Sequence, residues 1–154
     1  TNFIIFHAIN KPKTNVTLLI NKQAIDEVKY VKYLGILIDS QLTFKYHIEE
    51  LNKKISRSIG VLYKIRHLIN QQILCNLYYA IIYPFLLYGI AVWGNAAVTY
   101  LENTHKLQKK IVRLATFNDS IILNNNNVPS LHPSSPLFRQ LNIIKIFDIW
   151  DICF

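Results

Sequence analysis

From Gln71 to Leu101 the chain carries no Asp, Glu, Lys or Arg. A stretch of that length without charge must be covered, either by the rest of the protein or by lipid. Ile73 to Trp93 has the length of a membrane span, and Lys64, Arg66 and His67 stand just before it, as orientation rules for membrane helices would have them. Its aromatic residues argue otherwise. Tyr78, Tyr79, Tyr83 and Tyr88 are spread through the middle and not gathered at the ends, Pro84 sits near the centre, and Asn76 lies within. The segment reads as a buried core helix, kinked where Pro84 and Gly89 interrupt it. A small helical membrane-associated protein built on residues 73–93 is the alternative.

The positive charge is divided by this apolar segment. Residues 1–70 hold eleven Lys and Arg against five Asp and Glu, and residues 102–117 hold four against one. The whole chain of 154 residues has a formal net charge of +8. Such a balance suits nucleic acid or an anionic surface, although an AT-rich coding sequence, favouring Lys, Asn, Ile, Tyr and Phe, raises the total by itself. Hydrophobic residues make up 51% and charged residues 17%, which excludes a disordered chain. Two cysteines, Cys75 and Cys153, are too few for a disulfide framework. There is no Met, even at position 1. Thr1 is therefore expected not to be a true start, and the chain to be part of a longer protein.

Periodicity sets the fold class. Phe3–Phe6 is a short apolar run broken by Lys11-Pro12-Lys13-Thr14. Val16–Ile20 and Gln23–Val28 read as paired strands around an Asn21-Lys22 turn, and Tyr33–Asp39 as a strand buried on both faces. After Asp39-Ser40 the period becomes helical. Ile48, Leu51, Ile55, Ile59, Leu62 and Ile69 share one face of a helix of roughly 24 residues, while Lys53, Arg57 and Lys64 share another, with Lys54 nearby. A further helix is expected over Val98–Phe117, with Leu107, Ile111 and Leu114 inward and Lys106, Lys110 and Arg113 outward. Asn118 to Pro136, with Asn124–Asn127 and three prolines, reads as linker, and Pro136-Leu137-Phe138 opens a last helix reaching Phe154. The class is α+β: a small antiparallel sheet, a three-helix bundle and a further C-terminal helix.

Catalytic constellations are missing from this pattern. It holds no CxxC, no HExxH and no glycine-rich phosphate loop. Glu49 and Glu50 are adjacent on a helix and diverge by about 100°, so they cannot face each other as acid and base.

Several blocks, taken in order, are similar to those of the reverse transcriptases of non-LTR (LINE-type) retrotransposons. Thr1–Phe6 resembles the strand after the catalytic motif of the palm. Val31–Asp39, with Lys32-Tyr33-Leu34-Gly35 at its centre, resembles the KYLG block, the family's counterpart of the primer grip. Phe44 and His47-Ile48 resemble the start of the thumb, which Lys54–Leu62 continues. Leu77–Gly89 followed by Val92-Trp93-Gly94 resembles LYxAxIxPxLxYGxxVWG, and Leu107–Arg113 and Pro136-Leu137-Phe138 are further matches.

This resemblance implies palm strands with a primer-grip-like hairpin in residues 1–43 and a thumb-like helical region in 44–117. A linker would follow in 118–136, and the start of another helical segment in 137–154. It implies that Tyr33, Leu34 and Gly35 approach the primer, Gly35 by admitting close backbone contact. Leu34, Ile36 and Ile38 read in the first place as core. Lys53, Lys54, Arg57 and Lys64 would follow the backbone of an RNA–DNA duplex without reading its sequence, or else form a solvated helix face. The same choice holds for Lys106, Lys110 and Arg113. Trp93 and the tyrosines read as core and not as base-stacking platforms. Family polymerases hold two Mg²⁺ on palm aspartates. This sequence has no Asp-Asp pair, Asp26 and Asp39 do not correspond to ligands, and the matching region would lie upstream of Thr1. Polymerase activity is thus implied for a parent with its own fingers and palm, acting in nucleus or cytoplasm, and no catalytic residue, metal or cofactor is expected in this chain. A decayed element without activity is a second alternative.

Overall fold

A computed structural model describes residues 1–12, 16–116 and 134–153. The expected linker around Asn124–Asn127, and Lys13-Thr14, lie outside the described residues. The α+β class holds. The strands form three separate two-stranded ladders. β1 (Asn2–Phe3) pairs in parallel with β4 (Asp26–Glu27). The antiparallel pairs are β2 (Leu19–Ile20) with β3 (Gln23–Ala24), and β5 (Tyr30–Tyr33) with β6 (Ile36–Asp39). The Asn21-Lys22 turn is present with both residues at positive φ, the geometry that suits the twist of a two-residue hairpin loop.

One expectation fails here. Tyr33–Asp39 is not a single strand, because the chain reverses within it. Tyr33 pairs with Ile36 across a two-residue turn, Leu34-Gly35, whose φ angles are 45° and 82°. Both central residues of such a turn need positive φ, and Gly35 supplies it at no steric cost. Leu34 does not, which is why the sequence hides the turn.

After the hairpin, α1 (Lys45–Ile65) buries Ile48, Leu51, Ile55 and Leu62 on the face foreseen from their spacing. The long helix expected here runs unbroken only from 71 to 87, with a π-helical turn inside it, and is interrupted at Gly89 as its sequence suggested. α2 (Gln71–Leu77) starts on Asn70, whose side chain accepts from the Ile73 N–H at 2.9 Å. A π-helical turn follows at Tyr78–Ile82, then α3 (Tyr83–Leu87) and α4 (Ile90–Trp93). The wide turn, closed by the Tyr83 N–H on the Tyr78 carbonyl, accommodates Pro84, whose ring would otherwise meet the carbonyl of Ala80. Tyr88 is extended and Gly89 left-handed, so the helix breaks there. Among the described residues no helix is long and apolar enough to cross a membrane.

α5 (Val98–Ala115) packs along α1. The single last helix is also two: α6 (Ser134–Gln140) and α7 (Ile146–Cys153), separated by a turn with Asn142 at φ 54°. Asn tolerates that left-handed conformation better than most residues. One contiguous core joins Ile48, Ile55, Leu62, Leu74, Tyr78, Ile82, Leu86, Trp93, Ile111, Val112, Phe138, Ile146 and Ile149. Ile36 of β6 is the first described residue along the chain whose side chain is buried, so the hairpin is where the strand region meets the helices.

Candidate nucleic-acid interface

The loop between β6 and α1 is built on Asp39. Its carboxylate accepts from the Gln41 and Thr43 N–H groups at 3.1 and 3.0 Å, from the Thr43 hydroxyl at 3.1 Å and from the Phe44 N–H at 2.7 Å. A buried carboxylate with this many donors is satisfied in place, and it fixes how α1 leaves the hairpin. Both oxygens are engaged, and among the described residues no group of three His, Cys, Asp or Glu could hold a metal ion. The carboxylates of the described residues do not fit the two-Mg²⁺ arrangement.

Two further contacts join the hairpin to the helices. The Leu37 N–H donates to Nδ1 of His47, on α1, at 3.4 Å. The imidazole also lies against the Trp93 ring, with centroids 5.6 Å apart. Burial holds the His47 pKa below the ordinary histidine value, Lys54 adds to this, and Glu50 opposes it. At the other end of the hairpin, the Tyr88 hydroxyl donates to the Leu34 carbonyl at 2.5 Å. Trp93 is completely buried and donates from Nε1 to the Tyr88 carbonyl at 2.8 Å. The KYLG-like block, the start of α1 and the segment ending in Val92-Trp93-Gly94 therefore meet at one place.

The three hairpin residues singled out from sequence divide by environment. Tyr33 and Leu34 are 63% and 72% exposed. Gly35 does admit a close approach, but by the Tyr88 ring of the same chain, whose Cε1 lies 3.3 Å from where a Cβ would stand. Reading Leu34 and Ile38 as core is corrected: Leu34 is the turn's exposed tip and Ile38 is only half-buried, while Ile36 is buried. Reading Trp93 as core holds. Tyr88 is 57% exposed.

Lys53, Arg57 and Lys64 are exposed and lie within about 40° of one another around α1, over roughly 16 Å of its length. None has a carboxylate partner among the described residues. Lys54 is turned away from the stripe and pairs with Glu50 at 3.3 Å. Tyr46, in the first turn of α1, falls on the same stripe, and its ring lies tilted against Tyr30 of β5 with centroids 5.0 Å apart. Sequence reasoning missed this aromatic pair because Tyr30 and Tyr46 belong to different elements. Lys106, Lys110 and Arg113 are exposed on α5.

Curated relatives cover much of this chain. It is 25% identical over 141 residues to a probable RNA-directed DNA polymerase from transposon X-element of Drosophila melanogaster, a match covering 90% of the chain and 14% of the relative. It is 34% identical over 97 residues to the RNA-directed DNA polymerase from mobile element jockey of Drosophila funebris, covering 61% of the chain and 11% of the relative. A probable RNA-directed DNA polymerase from transposon BS of Drosophila melanogaster is 30% identical over 98 residues, covering 60% and 10%. The chain thus spans about a seventh or less of the length of these relatives. No family model and no solved structure matches it.

Proposed function

Because the chain is homologous to a stretch of the RNA-directed DNA polymerases of transposable elements, we propose that it is the part of a non-LTR reverse transcriptase that grips the primer and the RNA–DNA duplex. In this reading residues 1–43 close the palm and residues 44–117 form the thumb. Catalysis belongs to the parent polymerase, whose Mg²⁺ ligands and fingers are encoded elsewhere in it. The Leu34-Gly35 tip of the hairpin meets the primer end, and Lys53, Arg57 and Lys64 follow the duplex backbone. Lys54 contributes less, since Glu50 already neutralises it. The observation that carries the proposal is the convergence of the KYLG-like hairpin, His47 and Tyr88–Trp93 at the end of a helix bearing an exposed basic stripe. Over roughly 16 Å a duplex presents on the order of ten phosphates, ample for three cations to engage.

Salt dependence of binding to an RNA–DNA hybrid duplex tests this. Each phosphate contact contributes a slope of about 0.9 in the logarithm of affinity against that of salt. The variant Lys53→Gln, Arg57→Gln, Lys64→Gln should flatten the slope by about 2.7, and Lys54→Gln by clearly less than 0.9. An unchanged slope in the triple variant would overturn the assignment.

A further inference from the structure

We propose that Tyr88 is a positioning residue for the hairpin tip, its hydroxyl holding the Leu34 carbonyl so that the exposed Tyr33 and Leu34 side chains stand where a primer 3′ end is met. The inference rests on the duplex-gripping reading and adds to it a residue outside the hairpin.

Leu34 carries two costs at the turn. Its φ of 45°, which the two-residue loop demands, is unfavourable for a residue with a Cβ, and its apolar side chain is 72% exposed. Backbone held in a sparsely populated region persists where its surroundings over-determine it. The surroundings here are Tyr88 and Gly89. The phenol ring lies over Gly35, and its hydroxyl takes the Leu34 carbonyl at 2.5 Å. Gly89, at φ 64°, lets Ile36 come so close that a Cβ there would fall 2.5 Å from its Cδ1. The tip is thus seated on the break between α3 and α4.

That seat is itself fixed. The Tyr88 carbonyl accepts from buried Trp93, and Trp93 lies against His47, which accepts from Leu37 farther along β6. The turn is therefore held at Leu34 by Tyr88, and the strand that leaves it is held three residues further on, at Leu37, by His47, with Trp93 behind both. Tyr88 is half in solvent, so its hydroxyl has little part in the core. What it fixes is the height of the turn against the helices.

The test uses the full chain, its Tyr88→Phe variant and two RNA–DNA hybrid probes of equal length. One has a recessed DNA 3′ end; the other is closed by loops at both ends. The wild type should prefer the recessed end, and Tyr88→Phe should lose about five- to tenfold of that preference, the effect of one hydrogen bond. Its affinity for the closed probe and its salt slope should stay at wild-type values. A preference kept by Tyr88→Phe, or an equal loss on both probes, would overturn the positioning role. A wild type that binds the closed probe with the expected salt slope but shows no end preference would also overturn it, leaving duplex gripping intact. Failure of the wild type to bind either probe would instead overturn the reading on which it rests.

Discussion

Gln108 offers the sharpest test of how this fold is joined. It is 1% exposed, in the middle of α5. Its Nε2 donates to the Tyr78 hydroxyl at 3.2 Å and to the Ile144 carbonyl at 3.1 Å, and its Oε1 accepts from the Ile146 N–H at 2.8 Å. One amide thus joins α5 to the π-helical turn and to the start of α7. Gln108→Leu keeps the shape closely but leaves a backbone N–H, a carbonyl and a hydroxyl without partners. Stranding a buried polar group costs about 1–3 kcal/mol. The three losses are not independent, and the leucine regains some apolar burial, so the expected destabilisation is about 2–5 kcal/mol. Against a total of about 5–15 kcal/mol for a domain, that is a large fraction. Denaturant unfolding measures it as a lowered midpoint with an unchanged slope. Tyr78→Phe, which removes one hydroxyl, should cost about 1 kcal/mol. Combined with Gln108→Leu it should add less than its own single effect, because the shared bond is already gone. A Gln108→Leu variant within about 0.5 kcal/mol of wild type would refute the view that this amide anchors the last two helices.

Two further outcomes follow from the same structure. Gly60 lies inside α1, exposed, with open space where a Cβ would be, so Gly60→Ala should stabilise by about 0.5–1 kcal/mol and raise Tm by about 1–4 °C; an unchanged or lowered Tm in a thermal melt would contradict it. His47 and His105 are both held below the usual histidine pKa, chiefly by burial and next by Lys54 and Lys109 respectively. The unfolded chain therefore takes up protons near pH 6.5 where the folded chain resists them. Stability should be level above that pH and fall as pH drops through it, and equal denaturation midpoints at pH 7.5 and 5.5 would refute this.

The two long helices were legible because nothing disturbs their period. Ile48, Leu51, Ile55 and Leu62 on α1, and Ile111 and Leu114 on α5, are buried where the three-and-four spacing puts them. What failed to show were the reversals. Tyr33–Asp39 reads as one apolar strand because Leu34 is not a turn former, and only the left-handed preference of Gly35 hints at the hairpin. Asn142 gives a similar hint between α6 and α7, masked by apolar neighbours on both sides. Pro84 and Gly89 foretold a disturbance, but not that the chain would widen into a π turn and then break outright. The polar anchor Gln108 was invisible for another reason: its partners, the Tyr78 hydroxyl and the backbone at Ile144 and Ile146, are brought to it by the tertiary fold alone. Of the site, the cationic stripe followed from helical geometry, whereas the pairing of Lys54 with Glu50 decides which cations remain available.

The blocks that carry the family resemblance are explained by the fold only in part, and the division points to function. Ile36, His47, Gly89 and Trp93 are where they are because they pack the hairpin against the helices; a chain with no ligand at all would need them. Packing gives no such reason for Tyr33 and Leu34, which expose large apolar surface at a strained turn. Nor does it account for Lys53, Arg57 and Lys64, which have no carboxylate partner among the described residues. Exposed apolar residues scattered singly are ordinary, but these stand on one hairpin tip whose height is fixed from behind. Rigid support under an exposed contact is what recognition requires, since ordering a loose tip on binding would offset the contacts it makes. The residues that packing does not account for are the ones that the proposed grip on primer and duplex assigns a task.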